Sequence, residues 1–244
     1  VTGGLSSREA QALVSEGLTP VLVTAANWAT MSQEDFASYD AIVFGDKTCS
    51  TDPVTCMGPA TANYDVWGPV IDGNIIIIGS DPVYHSGSRP GAITLINQGI
   101  AFAVDEVSKT GAYIDLSCYY HYSPSGTVVP FLEGISGGGF SVIGASSLPG
   151  LNNVHIVATH PSLGSLTDAD LSNWGNSVHE GFTEWPIDFE VLAIARDSAG
   201  SYTAPDGTVG YPYIIARGIT VISDITLSPE TAINPVGTSH TLAA

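Results

Sequence analysis

Hydrophobic and polar positions fall into blocks along this chain, and the period of the blocks changes. Asn74-Ile75-Ile76-Ile77-Ile78-Gly79-Ser80-Asp81-Pro82-Val83-Tyr84-His85 opens with four isoleucines and then turns abruptly polar. An apolar run without alternation predicts a strand buried on both faces, and the polar residues after it sit where open α/β sheets gather ligands. Asp40-Ala41-Ile42-Val43-Phe44-Gly45-Asp46 has the same form. Thr19–Thr24, Ala112–Cys118, Val154–Ala158, Phe189–Ala195 and Tyr213–Ala216 read as further strands between Gly- and Pro-rich connections. Helical spacing appears between them. Ser6-Ser7-Arg8-Glu9 offers a capping-box start to a helix that runs through Val14 and stops at Gly17, and Ser32-Gln33-Glu34-Asp35 caps a short second one. The clearest helix spans Pro90 to Lys109, with Ile93, Ile96, Ile100, Val104 and Val107 on one face and Gly111 as its stop. Strands alternating with helices predict an α/β fold for residues 1–218, a doubly wound, mostly parallel sheet with helices on both faces.

The tail breaks this pattern. Ser223–Glu230 and Asn234–Leu242 alternate apolar and polar residues around Pro and Gly turns, as the opening strands of a β-sandwich do. Residues 219–244 therefore read as a linker and a short C-terminal β segment, which looks like the start of a bacterial immunoglobulin-like repeat. Neighbouring repeats of that kind are expected in the parent chain.

Charge narrows the partners. Twenty-four acidic residues against 6 Lys and Arg give a net charge of −18, a surface that repels phosphate backbones and anionic membranes, so nucleic acid is not expected to bind. No apolar run approaches the roughly 20 residues that cross a bilayer, and no signal-peptide pattern opens these residues. An acidic chain rich in Gly, Ser and Thr is expected to be secreted or displayed at a cell surface, where a small molecule, glycan or polymer would be its ligand. Cys49 and Cys56 bracket a six-residue loop in which a local disulfide and free thiols stand equally open. Cys118 lies in an aromatic stretch and reads as a small buried hydrophobe rather than a nucleophile.

Four segments carry a family likeness: Tyr39–Asp46, Ile75–Ser80, Thr159-His160-Pro161, and Ser177-Val178-His179-Glu180-Gly181-Phe182. They resemble the class I glutamine-amidotransferase-like superfamily of flavodoxin-like folds, particularly its trehalose-utilisation-type branch, over most of residues 1–218. Relatives of that kind open with a strand before the first helix, so Thr2-Gly3-Gly4 reads as the loop after a strand missing here. The resemblance implies a nucleophile at the turn after Ile75–Ile78 and a histidine base with an acidic partner farther on. Mapped onto this chain, the catalytic set is Ser80, His179 and Glu180. Asp81, Tyr84, His85, His160 and Trp174 are the expected substrate-binding residues. Gly79-Ser80-Asp81-Pro82 departs from a G-x-S-x-G elbow, no Cys occupies the nucleophile position, and adjacent His179 and Glu180 point apart on a strand or helix. Glutamine hydrolysis is therefore not expected.

Two other chemistries use the same neighbourhood. His85, His160, His179, Asp81 and Glu180 supply enough imidazole and carboxylate for a three-ligand metal site, but their spacing matches no compact motif, so no metal is assigned and the cofactor stays open. Asp46 and Asp52 lie near the cysteine loop without a calcium-loop pattern. The stretch 169–186, with Trp174 and Trp185 beside amides and acids, suits a glycan cleft to which Trp28, Trp67 and Tyr119-Tyr120-His121-Tyr122 would add. Two readings follow: a secreted hydrolase of an ester, amide or glycoside, or a catalytically silent amidotransferase-like module that binds a glycan or a partner protein.

Overall fold

A computed structural model describes residues 4–46 and 48–218. The β segment expected at 219–244 and the Thr2-Gly3 part of the opening loop lie outside them. In chain order the helices are α1 (Arg8–Ser15), α2 (Ala25–Trp28), α3 (Gln33–Ala37), α4 (Pro53–Ala62), α5 (Tyr64–Trp67), α6 (Pro82–His85), α7 (Pro90–Val104) and α8 (Asp168–Leu171). The strands are β1 (Ala41–Phe44), β2 (Ile75–Ile78), β3 (Gly111–Asp115), β4 (Thr127–Val128), β5 (Ser141–Gly144), β6 (Val154–Ile156), β7 (Glu180–Glu184), β8 (Glu190–Arg196), β9 (Tyr202–Thr203) and β10 (Val209–Arg217). Ser32 and Asp35 form the expected capping box at α3. At α1 the cap is Ser7, accepting from Ala10 N, and Glu9 is buried. Helix α7 stops at Val104, short of Lys109, and Val107 beyond it is exposed.

The main sheet is mixed. Its order is β1-β3-β2-β10-β8-β6, with β9 paired to β10. β1, β3 and β2 run parallel, with Phe44 opposite Ile114 and Ile78 opposite Asp115. From there β10 pairs antiparallel to β2, β8 to β10, and β6 to β8. The strands expected at 154–158, 189–195 and 213–216 therefore exist, but in antiparallel pairing. For β8 and β10 the reason is local: residues 197–208 between them carry no helix, and a parallel return needs a crossover of a dozen or more residues, usually helical. Thr19–Thr24 is no strand. It runs as largely exposed coil along the outer edge of β1, where it helps line an apolar groove of about 350 Å³ with Trp28, Phe36, Val43 and Phe44. Among the described residues no strand pairs with that edge.

All four isoleucines of β2 are fully buried, each contributing about 1.5–3 kcal/mol by leaving water. Alternation sends Ile75 and Ile77 to a core shared with Phe36, Met57, Trp67 and Phe131. Ile76 and Ile78 face the other core, against Leu95, Ile96 and Ile100 of α7. Helices thus cover both faces of β2, while a second sheet, β4-β5-β7, brings the residues around His179 over its carboxyl end.

Candidate active site

Parallel register decides which loops meet. Because Ile78 sits opposite Asp115, three further residues on each strand bring Asp81 and Cys118 side by side, with Cys118 Sγ 3.4 Å from Asp81 Oδ2. The loop after β1 arrives from the other side of β3, and its Cys49 forms a disulfide with Cys118. This corrects two expectations. Cys49 does not pair with Cys56, and Cys118 is not a lone hydrophobe. Cys56 lies within α4, packed against the core as a free thiol, while Cys49 adopts a left-handed φ of 49° in the loop that meets Cys118. On the remaining side, Gly79 O accepts from both His179 N (2.9 Å) and Glu180 N (3.1 Å). A Cβ on Gly79 would stand 2.2 Å from Glu180 O, so only glycine lets these segments approach.

The result is a cluster of three imidazoles around one carboxylate. His85 Nε2 lies 2.9 Å and His179 Nε2 3.1 Å from Asp81 Oδ1, yet neither is aimed squarely enough to make an aligned hydrogen bond, and that oxygen is closed off from water. The second ring nitrogen of His179 meets His121, Nδ1 to Nδ1, at 3.0 Å. Cys118 Sγ lies 3.8 Å from His179 Nε2 and, being in a disulfide, has no proton to give. Asp81, Cys118 and His179 are buried, whereas His85 and His121 are half-buried. Exposed Tyr84 and Tyr122 stand edge-on to those two rings, at 5.5 and 4.6 Å. Trp174, itself buried, packs on His85 at 5.3 Å.

Electrostatics follow from burial and neighbours. Burial pushes the Asp81 pKa upward, but the contacts from His179 and then His85, together with their charges, outweigh it and hold the carboxyl below its ordinary value. Burial lowers the His121 pKa, and the charge of His179 lowers it further against the pull of Asp81, so this ring is kept neutral. Glu180 goes the other way. Full burial drives its pKa well above the usual carboxylate range, with the charge of Asp81 adding to the rise and the Tyr120 N–H opposing it.

These protonation states order the protons. An ionised Asp81 favours a proton on His179 Nε2, so in the neutral ring Nδ1 is the acceptor and His121 Nδ1 the donor. That leaves the lone pair of the half-buried His121 on Nε2. Asp81, His179 and His121 form a line along which a proton taken up outside is balanced by a charge held inside.

The expected site residues divide. His179, Asp81 and His85 come together, with Trp174 and Tyr84 beside them. Ser80 is fully buried and its hydroxyl donates to Ser177 O at 2.9 Å, while the His179 nitrogens face Asp81, Cys118 and His121. Glu180 accepts from Tyr120 N at 2.9 Å. His160 lies at the opposite end of the sheet. Its ring is edge-on to Phe102, whose carbonyl accepts from Asn74, the residue before β2. Asp46 and Asp52 accept from neighbouring backbone N–H groups, Asp52 as the cap of α4. Trp28 and Trp67 stack with Phe36 and Phe44 in the core. Sequence reasoning took His121 only as part of an aromatic run lining a glycan cleft and missed it as the partner of His179. The signal was there, since Tyr120-His121-Tyr122 follows the β3 strand just as Asp81 and His85 follow β2. Compared with protein-family models, curated proteins and solved structures, the chain finds no match.

Proposed function

We propose that this chain is a secreted hydrolase of ester or amide bonds, with water as nucleophile and the His121–His179–Asp81 line as its general base. The observation that carries the reading is the 3.0 Å contact between the two imidazoles, because it joins a buried carboxylate to a ring that solvent reaches. Water bound at His121 Nε2 loses a proton to that nitrogen as its oxygen attacks a carbonyl carbon. His121 passes its Nδ1 proton to His179 Nδ1, and the positive charge comes to rest beside Asp81, where a carboxylate stabilises an imidazolium. As the tetrahedral intermediate collapses the shifts reverse, and the departing alkoxide or amine leaves with the proton. Glycosides fit less well, since their hydrolysis needs two carboxyl groups flanking the bond, and Asp81 and Glu180 are both enclosed.

The parallel β1-β3-β2 unit covered by helices supports a flavodoxin-like descent for residues 1–218. The amidotransferase-like segments support hydrolytic chemistry on it. Composition supports a secreted or surface location, and the alternating tail supports an immunoglobulin-like neighbour. Tyr84 and Tyr122, 59% and 72% exposed, offer flat faces for an acyl or sugar group.

The test is turnover of chromogenic ester and amide panels by the disulfide-bonded protein. His121→Ala and His179→Ala are each expected to lower kcat/KM by on the order of 10²–10⁴ with unchanged far-ultraviolet circular dichroism, and His155→Ala to leave it unchanged. A His121→Ala protein as fast as wild type would overturn the relay. A wild type inert to the panels that saturably binds a glycan would replace the hydrolase with the binding module.

A further inference from the structure

The same cluster contains a ligand set for a metal ion. Cys49 Sγ, Cys118 Sγ, one oxygen of Asp81 and one ring nitrogen of His179 all lie within 4.8 Å of one another. We propose that reducing the Cys49–Cys118 bridge opens a four-ligand site for a thiophilic divalent cation of the zinc class.

Distances favour this more than proximity alone. With metal–sulfur bonds of about 2.3 Å and metal–nitrogen or metal–oxygen bonds of about 2.0–2.1 Å, neighbouring ligand atoms of a tetrahedron stand roughly 3.5 Å apart. Cys118 Sγ is already 3.4 Å from Asp81 Oδ2 and 3.8 Å from His179 Nε2. The two sulfurs must separate, and Cys49 must settle within the 4.8 Å that already contains all four ligand atoms. Cys49 is the member placed to move, because it sits in a loop outside helix and strand, half-buried, while the other three are fastened at the ends of β2, β3 and β7.

A second observation points the same way. Asp81 Oδ1 is sealed from water and receives no aligned hydrogen bond, although two imidazole nitrogens lie within 3.1 Å of it. Buried carboxylate oxygens in folded proteins nearly always have a partner, and these groups converge on a common space rather than on each other. The outer contacts are those a metal ligand needs: His121 holds the far nitrogen of His179 and so fixes its ring, and His85 braces the carboxylate.

The chemistry balances with an external dithiol as reductant. Two electrons and two protons pass to the bridge, giving two thiols, while the reductant becomes a disulfide. The cation then displaces both thiol protons as it binds. Metal on His179 Nε2 shifts the proton of that nitrogen to Nδ1, which then donates to His121 Nδ1, so the reduced, loaded protein loses the relay; that consequence rests on the proposed hydrolase, whereas the site itself does not.

Cobalt(II) reports the site without any assay of turnover. The full chain, reduced with dithiol and freed of it under argon, is titrated with Co²⁺ and then Zn²⁺. The expected result is one equivalent of cobalt with an intense near-ultraviolet thiolate-to-metal band and tetrahedral visible bands, bleached by zinc, with native circular dichroism throughout. Cys56→Ser keeps the spectrum, Cys118→Ser loses the thiolate band, and His179→Ala weakens binding at least about tenfold. The oxidised chain gives no thiolate band. A reduced, folded chain without that band, or a band that survives in Cys118→Ser, overturns the proposal.

Discussion

Two histidine–carboxylate clusters are built on the main sheet from the same residue types, and they differ in what surrounds them. One gathers Asp81, His85, His179 and His121 beyond β2 and β3. The other joins His155 on β6 to Asp168 and Asp206, at 2.9 Å each, with Arg196 on β8 reaching Asp168 at 2.6 Å. In the first, Asp81 is fully enclosed. In the second, Asp168 is 38% and Asp206 55% exposed, so water and salt screen the charges and the pairs contribute little. Both nitrogens of His155 face carboxylates, leaving no lone pair turned outward. His121 ends its line on a free one. Burial and an open terminal ring, rather than the presence of histidine beside acid, separate a candidate catalytic line from a surface brace.

Removing the central carboxylate is the severest way to break the comparison. Asp81→Ala removes the carboxylate that His85 Nε2 and His179 Nε2 face at 2.9 and 3.1 Å and leaves both imidazoles without that polar neighbour, at about 1–3 kcal/mol for each. A loss of about 2–6 kcal/mol in urea unfolding is expected. An unchanged midpoint would mean that water already serves those rings. Gly79→Ala comes next. Its Cβ would press on Glu180 O, and overpacking of this kind costs about 1–3 kcal/mol. Since Gly79 O receives both His179 N and Glu180 N, the imidazole resonances of His179 and His121 should shift while those of His155 stay in place.

How much of this was legible in the sequence differs between the two halves of the sheet. Ile75–Ile78 declared a strand buried on both faces because no polar residue interrupts it, and Ser32 with Asp35 declared a helix start; both follow from local chemistry. Pairing direction for β6, β8 and β10 did not, since it depends on how the connections run, as in the helix-free return of residues 197–208, and not on the strands' own pattern. Thr19–Thr24 has a strand's composition, but no strand among the described residues pairs with it. At the site, Asp81, His85 and His179 stood out beside apolar runs. The Cys49–Cys118 bridge and the His179–His121 contact could not, because they join residues 69 and 58 apart through a lateral register that periodicity along one strand does not encode.

Acidity sharpens the contrast. Burial drives the Asp115 pKa well above its ordinary value, helped by the charges of Glu9, Asp81 and Asp46 and opposed by the Ser117 N–H. A raised native pKa means stability that is full below the unfolded carboxyl value, near pH 4, and declines as pH rises toward the native one, with a slope of up to about 1.4 kcal/mol per pH unit. Asp81 and Asp168 have the opposite sign. Asp168, whose burial is outweighed by contacts from His155, Ile156 N and Arg196, has a lowered pKa, so its contribution is lost only as pH falls below about 4. Asp115→Asn should therefore gain on wild type between pH 5 and pH 8. Imidazole titration is common to both proteins and cancels in the difference. Parallel stability curves for the two would show that Asp115 ionises normally.

The smallest effect belongs to the surface cluster. His155→Ala deletes a ring that is 18% exposed and leaves Asp168 bonded to Arg196 and to Ile156 N at 2.6 and 2.8 Å. Screened pairs of this kind are worth about 0–1 kcal/mol, so the loss should stay below about 1 kcal/mol and shrink further in molar salt, where the Debye length falls to about 3 Å. Hydrolytic turnover should be untouched. A loss above about 3 kcal/mol, insensitive to salt, would erase the distinction drawn between the clusters: His155 would then be fastening β6 to β8 as firmly as Asp81 holds its imidazoles, and partial exposure would no longer explain why only one of them offers a base to solvent.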